Sequence, residues 1–396
     1  MAQNFLRMIS KYKHLGETCF LCPVRKALVK VCSEEKRVMV AVEYIVGKMN
    51  IPLYPLVLEK DFKGAEIDPQ SNVFSVIALD QARPRQVAII EIRISGRSIA
   101  SEKNKAILEY AKEVNALTVI IANGKGTIVY KWDEKYEDWF QAPNLPNYDE
   151  LVFGFERFAI VLDSFAKLQE RFDQHLNESG FVGNVMAGVV LKKDNALVLP
   201  ALNLSYALLD STVKFFEDDH GLFRVLKDCG IAPHAFKNEE GETLYTFFRH
   251  ILVEYNNGTQ LIGLGFAPFF NKKDRTLDTS FCVTMDCKVD AKIEKRMSLQ
   301  IPVESSWELE EDAVAIYHKG NRAAHTAGLS LKEMRKHLQE KLPNIVRARY
   351  FYFGSLANDK LWKLDNPDVV RVLDQLIAYA LVRDGIRTQK EKFRGV

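Results

Sequence analysis

Two strand-length apolar runs, VFSVIALD (73–80) and QVAIIEIRI (86–94), are separated only by QARPR. Runs of this length joined by a short proline-bearing connection form a β-hairpin, which places Pro84 in the turn. The hairpin constrains the fold more than any other feature, because its second run carries Glu91 and Arg93. Residues two apart share one face of a strand, so both charges stand on the same side of a segment that is otherwise apolar. Buried charges need a partner or a cleft. With the turn centred near Arg83, cross-strand neighbours sum to about 166, which sets Glu91 opposite Ser75.

The flanking segments supply the rest of a domain. PVRKALVKVCSEEKRVMVAVEYIVGKM has apolar residues at helical spacing (Leu28, Val31, Val38, Val42, Ile45, Met49) and reads as two helical turns, then a longer helix after Ser33. LVLEKDF is a short strand carrying Glu59. NKAILEYAKEVN is a helix with Ala106, Ile107, Tyr110, Ala111 and Val114 inward, LTVIIAN is a buried strand, and NGKG turns the chain into TIVYKW. The order helix, strand, hairpin, helix, strand, strand predicts an α/β domain over 23–133, after an N-terminal extension at 1–22.

The succession VRKALV, EEKRVMVAVEYIV, the Glu of LVLEKDF, IIEIR, ILEYAK and VIIANGK resembles the N-terminal nuclease domain of type I restriction enzyme R subunits, in the PD-(D/E)XK superfamily. The resemblance spans Pro23 to Trp132. It implies a restriction-endonuclease-like mixed sheet flanked by helices, and a Mg²⁺-dependent endodeoxyribonuclease site formed by Glu91, Arg93, Glu59, Ser75 and Tyr110. Mg²⁺ takes hard oxygen ligands, usually one or two carboxylates, and here the resemblance assigns them to Glu91 and Glu59. Three positions depart from the family pattern: Ser75 stands for an aspartate, Arg93 for a lysine, and Ala106 for a glutamine four residues before Tyr110. Asp68 is the candidate substitute ligand, since Asp80 falls beside the turn on the face opposite Glu91. A guanidinium clamps phosphate well but does not shuttle protons. The motif is therefore degenerate.

Charge is nearly balanced at +2, but residues 1–133 sum to +6, residues 134–315 to −12 and residues 316–396 to +8. Two basic ends fit an anionic partner, here double-stranded DNA, with Arg83, Arg85, Arg97 and Lys105 in the first end and Arg335, Lys336, Arg347 and Arg349 in the second as phosphate contacts. The rest of the chain reads as a larger α+β region: an acidic α+β domain at 150–315 and a basic, mainly helical part at 316–396. In it, YDELVFGFERFAIVLDSFAKLQERFDQHL reads as one long amphipathic helix, SYALLDSTVKFFEDDHGLFRVLKDCG and TLYTFFRHILVEYN as further helices, and the stretch from TQLIGLGFAPFF to RMSLQIPV as β-rich. Ser330 and Glu333 have capping-box spacing, AGLSLKEMRKHL resembles the second half of a helix-turn-helix, and Asn366 with Pro367 marks a helix start.

Several alternatives are set aside on spacing. Cys282 and Cys287 lie five apart on the strand predicted for TSFCVTMDC and point to opposite faces, so they and the Cys19/Cys22 pair read as small buried residues instead of zinc ligands. His318, His325 and His337 form no compact ligand motif and read as solvated or hydrogen-bonded. No GxxxxGK[ST] occurs, so a translocase motor, like a methyltransferase subunit, would be a separate protein. The start lacks an apolar leader core and no window reaches about 18 apolar residues, which predicts a cytoplasmic chain with no membrane partner. Three functions fit: a weak metal-dependent endonuclease, a degenerate DNA-binding relative in a restriction, defence or repair complex, or an assembly protein that keeps the fold without nucleic-acid chemistry.

Overall fold

A computed structural model of the chain describes residues 10–59, 71–80, 83–93, 97–99, 104–155, 164–174, 181–184, 188–192, 195–237, 243–271, 276–289, 292–320 and 331–393. They divide into two units, Met1–Phe158 and Ala159–Val396.

The first unit is mixed α/β. It opens with an antiparallel meander of β1 (Lys11–His14), β2 (Glu17–Cys22) and β3 (Ala27–Lys30). Two expectations are corrected here. Residues 11–22 are not an appended extension, and ALVK is a strand, not part of a helix. Lys26 adopts a left-handed φ of 43°, which turns the chain after Pro23 so that Leu28 pairs with Leu21. A four-residue apolar segment is too short for its period to separate the two choices. Helix α1 (Ser33–Met49) follows as expected, with Val38, Val42, Ile45 and Met49 buried.

The main sheet runs in the order β4 (Leu56–Leu58), β5 (Asn72–Asp80), β6 (Arg83–Ile92), β7 (Thr118–Ala122), β8 (Thr127–Asp133) and β9 (Asp138–Ala142). Only the β6–β7 pair is parallel, and helix α2 (Lys105–Glu113) lies in the crossover between them, as a parallel pair requires. Alternate side chains of these strands enter two cores. Phe74, Val76, Ala88, Ile90, Ile120 and Ala122 pack with α1, whereas Val73, Ile89, Val119 and Ile121 pack with Ile107 and Ala111 of α2. Covering both faces explains why β6 and β7 read as continuous apolar runs.

The predicted hairpin is present, but its register differs by two residues. Asp80 pairs with Arg83, so Pro84 lies within β6, opposite Leu79, and the pairing is irregular between Val76 and Ile77. Ser75 therefore faces Ile89, and Glu91 faces Val73. A shift of two preserves the face, so Ser75 and Glu91 still project to the α2 side on adjacent strands.

The expected long helix after Asn147 is interrupted. Helix α3 (Tyr148–Leu151) begins with a full capping box between Asn147 and Glu150, then ends in a turn where Gly154 has a φ of 85°. Helix α4 (Phe165–Gln174) begins anew in the second unit.

In that unit, strands β10 (Phe181–Asn184) and β11 (Val189–Lys192) form a hairpin, and helix α5 (Val198–Leu209) is buried along almost its whole length. Five long antiparallel strands follow in sequence order: β12 (Arg224–Lys237), β13 (Thr243–Tyr255), β14 (Gly258–Asn271), β15 (Thr276–Val289) and β16 (Lys292–Pro302). TLYTFFRHILVEY is thus a strand, against the helical expectation, and so is the RVLKDCG stretch. All residues from Thr246 to Val253 are buried, and a strand without a solvated face shows no alternation to read. Arg249 sits fully buried in this run. Its Nε donates to Asp228 Oδ2 at 2.8 Å, and its Nη1 donates to the Leu208 and Asp210 carbonyls at 3.2 and 2.8 Å, closing the C-terminal end of α5.

After α6 (Val303–Ser306), strands β17 (Trp307–Leu309), β18 (Ala313–His318) and β19 (Phe351–Ala357) form a small antiparallel sheet. Helix α7 (Leu331–Lys341) precedes β19 and helix α8 (Pro367–Phe393) closes the described chain. Asn366 Oδ1 accepts the Asp368 amide at 2.9 Å, so the expected cap is made. Ser330, and with it the capping-box reading, lies outside the described residues, as does the AGLS half of the helix-turn-helix pattern, whose LKEMRKHL half is helix α7. No helix among the described residues is long and apolar enough to cross a membrane.

Candidate functional site

The site residues of the first unit converge on the α2 side of the sheet, at the ends of β4 and β6. The Glu59 amide donates to the Val73 carbonyl at 2.9 Å, continuing the β4–β5 register by one residue. Glu59, Val73, Glu91 and Ile121 thus form one row across four strands. The two acids are separated by two inter-strand spacings, about 9.6 Å between backbones.

Each acid is engaged by its own partners. Glu91 is 1% exposed, and Arg93 holds it bidentately, with Nε to Oε1 at 3.0 Å and Nη2 to Oε2 at 2.8 Å. The third arm of the guanidinium, Nη1, donates to the Ser98 carbonyl at 2.8 Å. The backbone repeats the tie, because the Arg93 amide donates to the Ala122 carbonyl at 2.8 Å. Asn123 completes it: Nδ2 donates to the Arg97 carbonyl at 2.6 Å while Oδ1 accepts the Lys125 and Gly126 amides of the NGKG turn. Glu91 and Arg93 are therefore the clasp that fastens the 97–99 segment across the end of β6.

Glu59 belongs to a second cluster. Its Oε1 accepts from the Ser75 hydroxyl and from Gln86 Nε2 at 2.9 Å, and the same Gln86 amide reaches Ser75 Oγ at 2.8 Å. Gln86 was not anticipated from sequence; only the true hairpin register brings it beside Ser75. Asn104 was missed as well. It is fully buried before α2, and its Nδ2 donates to the Ile99 carbonyl at 3.2 Å and the Tyr130 hydroxyl at 3.0 Å. Tyr110 packs half-buried beside the α2 core.

These residues do not fit a Mg²⁺ ion as arranged. Mg²⁺ demands near-octahedral oxygen ligation, yet both Glu91 oxygens accept hydrogen bonds from the Arg93 guanidinium, and Glu59 stands two strands away with Oε1 already accepting two donors. Among the described residues no group of three or more His, Cys, Asp or Glu is placed to hold a metal. Asp68 lies outside the described residues.

The basic candidates divide. The side chain of Arg83 lies outside the description. Arg85 is half-buried, with Nη2 to the Asn115 carbonyl at 3.3 Å and its guanidinium 5.4 Å from the Phe155 ring centre. Arg97 and Lys105 are exposed, and Lys105 lies 3.8 Å from Glu109. In the second unit, Arg335 donates to the Ala348 carbonyl at 2.6 Å and Arg347 to the Asn344 carbonyl at 2.8 Å, whereas Lys336 and Arg349 are exposed.

The remaining candidates are structural. His318 is buried, its Nδ1 lies 2.9 Å from the Tyr379 hydroxyl, and burial together with the nearby Arg383 lowers its pKa to about 3. Burial raises the Tyr379 phenol to about 12. His325 is outside the described residues. Cys19, Cys22 and Cys282 are buried thiols, and burial pushes the Cys22 and Cys282 pKa values up, as expected of small core residues.

No known protein family, characterised protein or solved structure matches this chain.

Proposed function

We propose that this chain is a DNA-binding protein with a restriction-endonuclease-like domain whose site has ceased to hydrolyse DNA, serving in a restriction, defence or repair complex beside a separate motor or methyltransferase subunit. The bidentate Arg93–Glu91 pair carries this reading. A cation bound at Glu91 would displace a guanidinium of like sign and strand it in a dry site, where an unpaired charge is costly. A guanidinium also gives up no proton at neutral pH, so it supplies no base to activate water. The mixed sheet, the crossover helix and the placing of Glu59, Ser75 and Glu91 on one face of that sheet support a nuclease ancestry. The charge sums of +6 and +8 at the two ends of the sequence, with Arg97, Lys105, Lys336 and Arg349 exposed, support a polyanionic partner.

The test is duplex binding and plasmid nicking by the full chain. Binding should weaken steeply with salt, with a log–log slope of about −3 or steeper, corresponding to at least three neutralised phosphates. Nicking in Mg²⁺ should be absent. Mg²⁺-dependent nicking that disappears in Glu91→Ala would restore the endonuclease reading. A flat salt response, or no duplex binding at about 50 mM salt, would favour the assembly protein.

A further inference from the structure

The outer face of the small β17–β19 sheet carries a row of tyrosines. Tyr317 and Tyr352 are direct cross-strand partners on β18 and β19. Tyr350, in the turn before β19, sets its ring 5.5 Å from that of Tyr317 at an interplanar angle of 52°. Tyr350 is 39% exposed, and the other two are half-buried. The opposite face of the same strands holds Ile316, His318, Phe351 and Phe353, all buried, and the phenylalanines and His318 meet the Tyr379 ring of α8. The tyrosines are therefore not part of that core.

Cations are interleaved with the rings. Lys319 Nζ lies 5.7 Å from the Tyr317 ring centre, and the Arg347 guanidinium lies 5.4 Å from that of Tyr352. Arg349 is exposed in the same turn. The turn is held in shape, not loose: Arg347 N donates to the Tyr350 carbonyl at 3.0 Å, and Arg335 pins the Ala348 carbonyl. The sign of the charge reverses along the sheet. Lys319, Arg347 and Arg349 stand where β18 ends and β19 begins, while Glu310, Glu311 and Asp312 are exposed at the other end; Glu308, opposite Ala315 in the middle of β17, lies near enough to Tyr317 to add to the rise that burial gives its phenol pKa.

We infer that this face binds single-stranded DNA, with bases stacking on Tyr350 and Tyr317 and the phosphates following Lys319, Arg347 and Arg349. Planar aromatic faces beside cations match unpaired bases on a phosphate backbone, the combination used by stacking platforms for single strands. A duplex keeps its base faces inside and offers these rings nothing. An acidic peptide would engage the cations but not the exposed ring. The choice of DNA over RNA rests on the proposed function above; the stacking contact itself does not.

The experiment is fluorescence anisotropy of a labelled oligothymidine of about 15 nucleotides with the full chain, beside a duplex of equal length. Tyr350→Ala should weaken single-strand binding about tenfold, and Tyr350→Phe, which keeps the ring, no more than about twofold. Arg349→Ala should reduce the log–log salt slope by about 0.7. Duplex binding should not respond to Tyr350→Ala. No oligothymidine binding by wild type, or equal binding by Tyr350→Ala, overturns the inference even if the duplex binds. Tighter binding of oligouridine, or displacement by polyglutamate at equal charge, overturns the assignment to DNA. Loss of duplex binding alone would count against the function proposed for the nuclease-like unit and leave this contact standing.

Discussion

Replacing Arg93 with methionine isolates the clasp at the end of β6. The substitution keeps a long apolar stem but removes two bonds to Glu91, at 3.0 and 2.8 Å, and one to the Ser98 carbonyl at 2.8 Å. The side chains of Arg93 and Glu91 are only 6% and 1% exposed, so solvent screens the pair little and water cannot replace the lost donors in place. Breaking one side of such a buried pair costs about 3–5 kcal/mol, mostly because the surviving carboxylate is stranded. For a unit of this size the loss lowers the melting temperature by about 6–20 °C. Adding Glu91→Leu should return most of the deficit, because a buried ion pair and a well-packed apolar pair are often similar in stability. The assay is denaturant-dependent hydrogen exchange of the β6 and β7 amides in wild type, both single variants and the double variant, which reports this unit separately from the other. A cost below about 1 kcal/mol for Arg93→Met, or a double variant as unstable as the single, would refute the argument that the guanidinium exists to neutralise Glu91.

Two further outcomes follow from other parts of the molecule. His318 has its pKa lowered to about 3 by burial and by Arg383, so between its unfolded value near 6.5 and that folded value the unfolded chain binds the extra proton. Stability of the second unit should fall by up to about 1.4 kcal/mol per pH unit as pH drops through this window, relative to His318→Gln, and parallel pH dependences of the two proteins would count against it. At Gly188, with φ of +70°, an added Cβ would sit 1.9 Å from the Phe266 carbonyl oxygen. Because that neighbour is backbone, Gly188→Ala should destabilise by about 2–5 kcal/mol from crowding and left-handed strain together, and equilibrium unfolding with a change under about 1 kcal/mol would disprove the contact.

How much of this was legible beforehand depended on local period. Helix α1, helix α2, strand β7 and the NGKG turn each announce themselves through one periodicity or one turn residue, and all four are present. The hairpin was legible in kind but not in register, because the irregularity between Val76 and Ile77 leaves no sequence mark. That two-residue error hid Gln86, whose amide joins Ser75 to Glu59. Glu91 and Arg93 were correctly placed on one face, but spacing alone cannot distinguish two groups waiting for a substrate from two groups bonded to each other. Strand β13 was misread as a helix because Phe247, Phe248, Ile251, Leu252 and Val253 are all buried, leaving no polar face to set a period of two.

Helix α5 has a consequence for how the protein is made. Its segment VLPALNLSYALL is buried at nearly every position and packs against β11, β13 and β14, so it has no face suited to water. Two of those strands lie downstream, and the Arg249 that closes its C-terminal end lies in one of them. During synthesis the helix therefore leaves the ribosome well before its cover exists. Strand β14 ends roughly sixty residues later, which at about 5–20 residues per second leaves this apolar segment uncovered for about 3–12 s. Over that interval the segment is a natural client for a chaperone that holds nascent chains, and the interval closes when β13 and β14 pair over it.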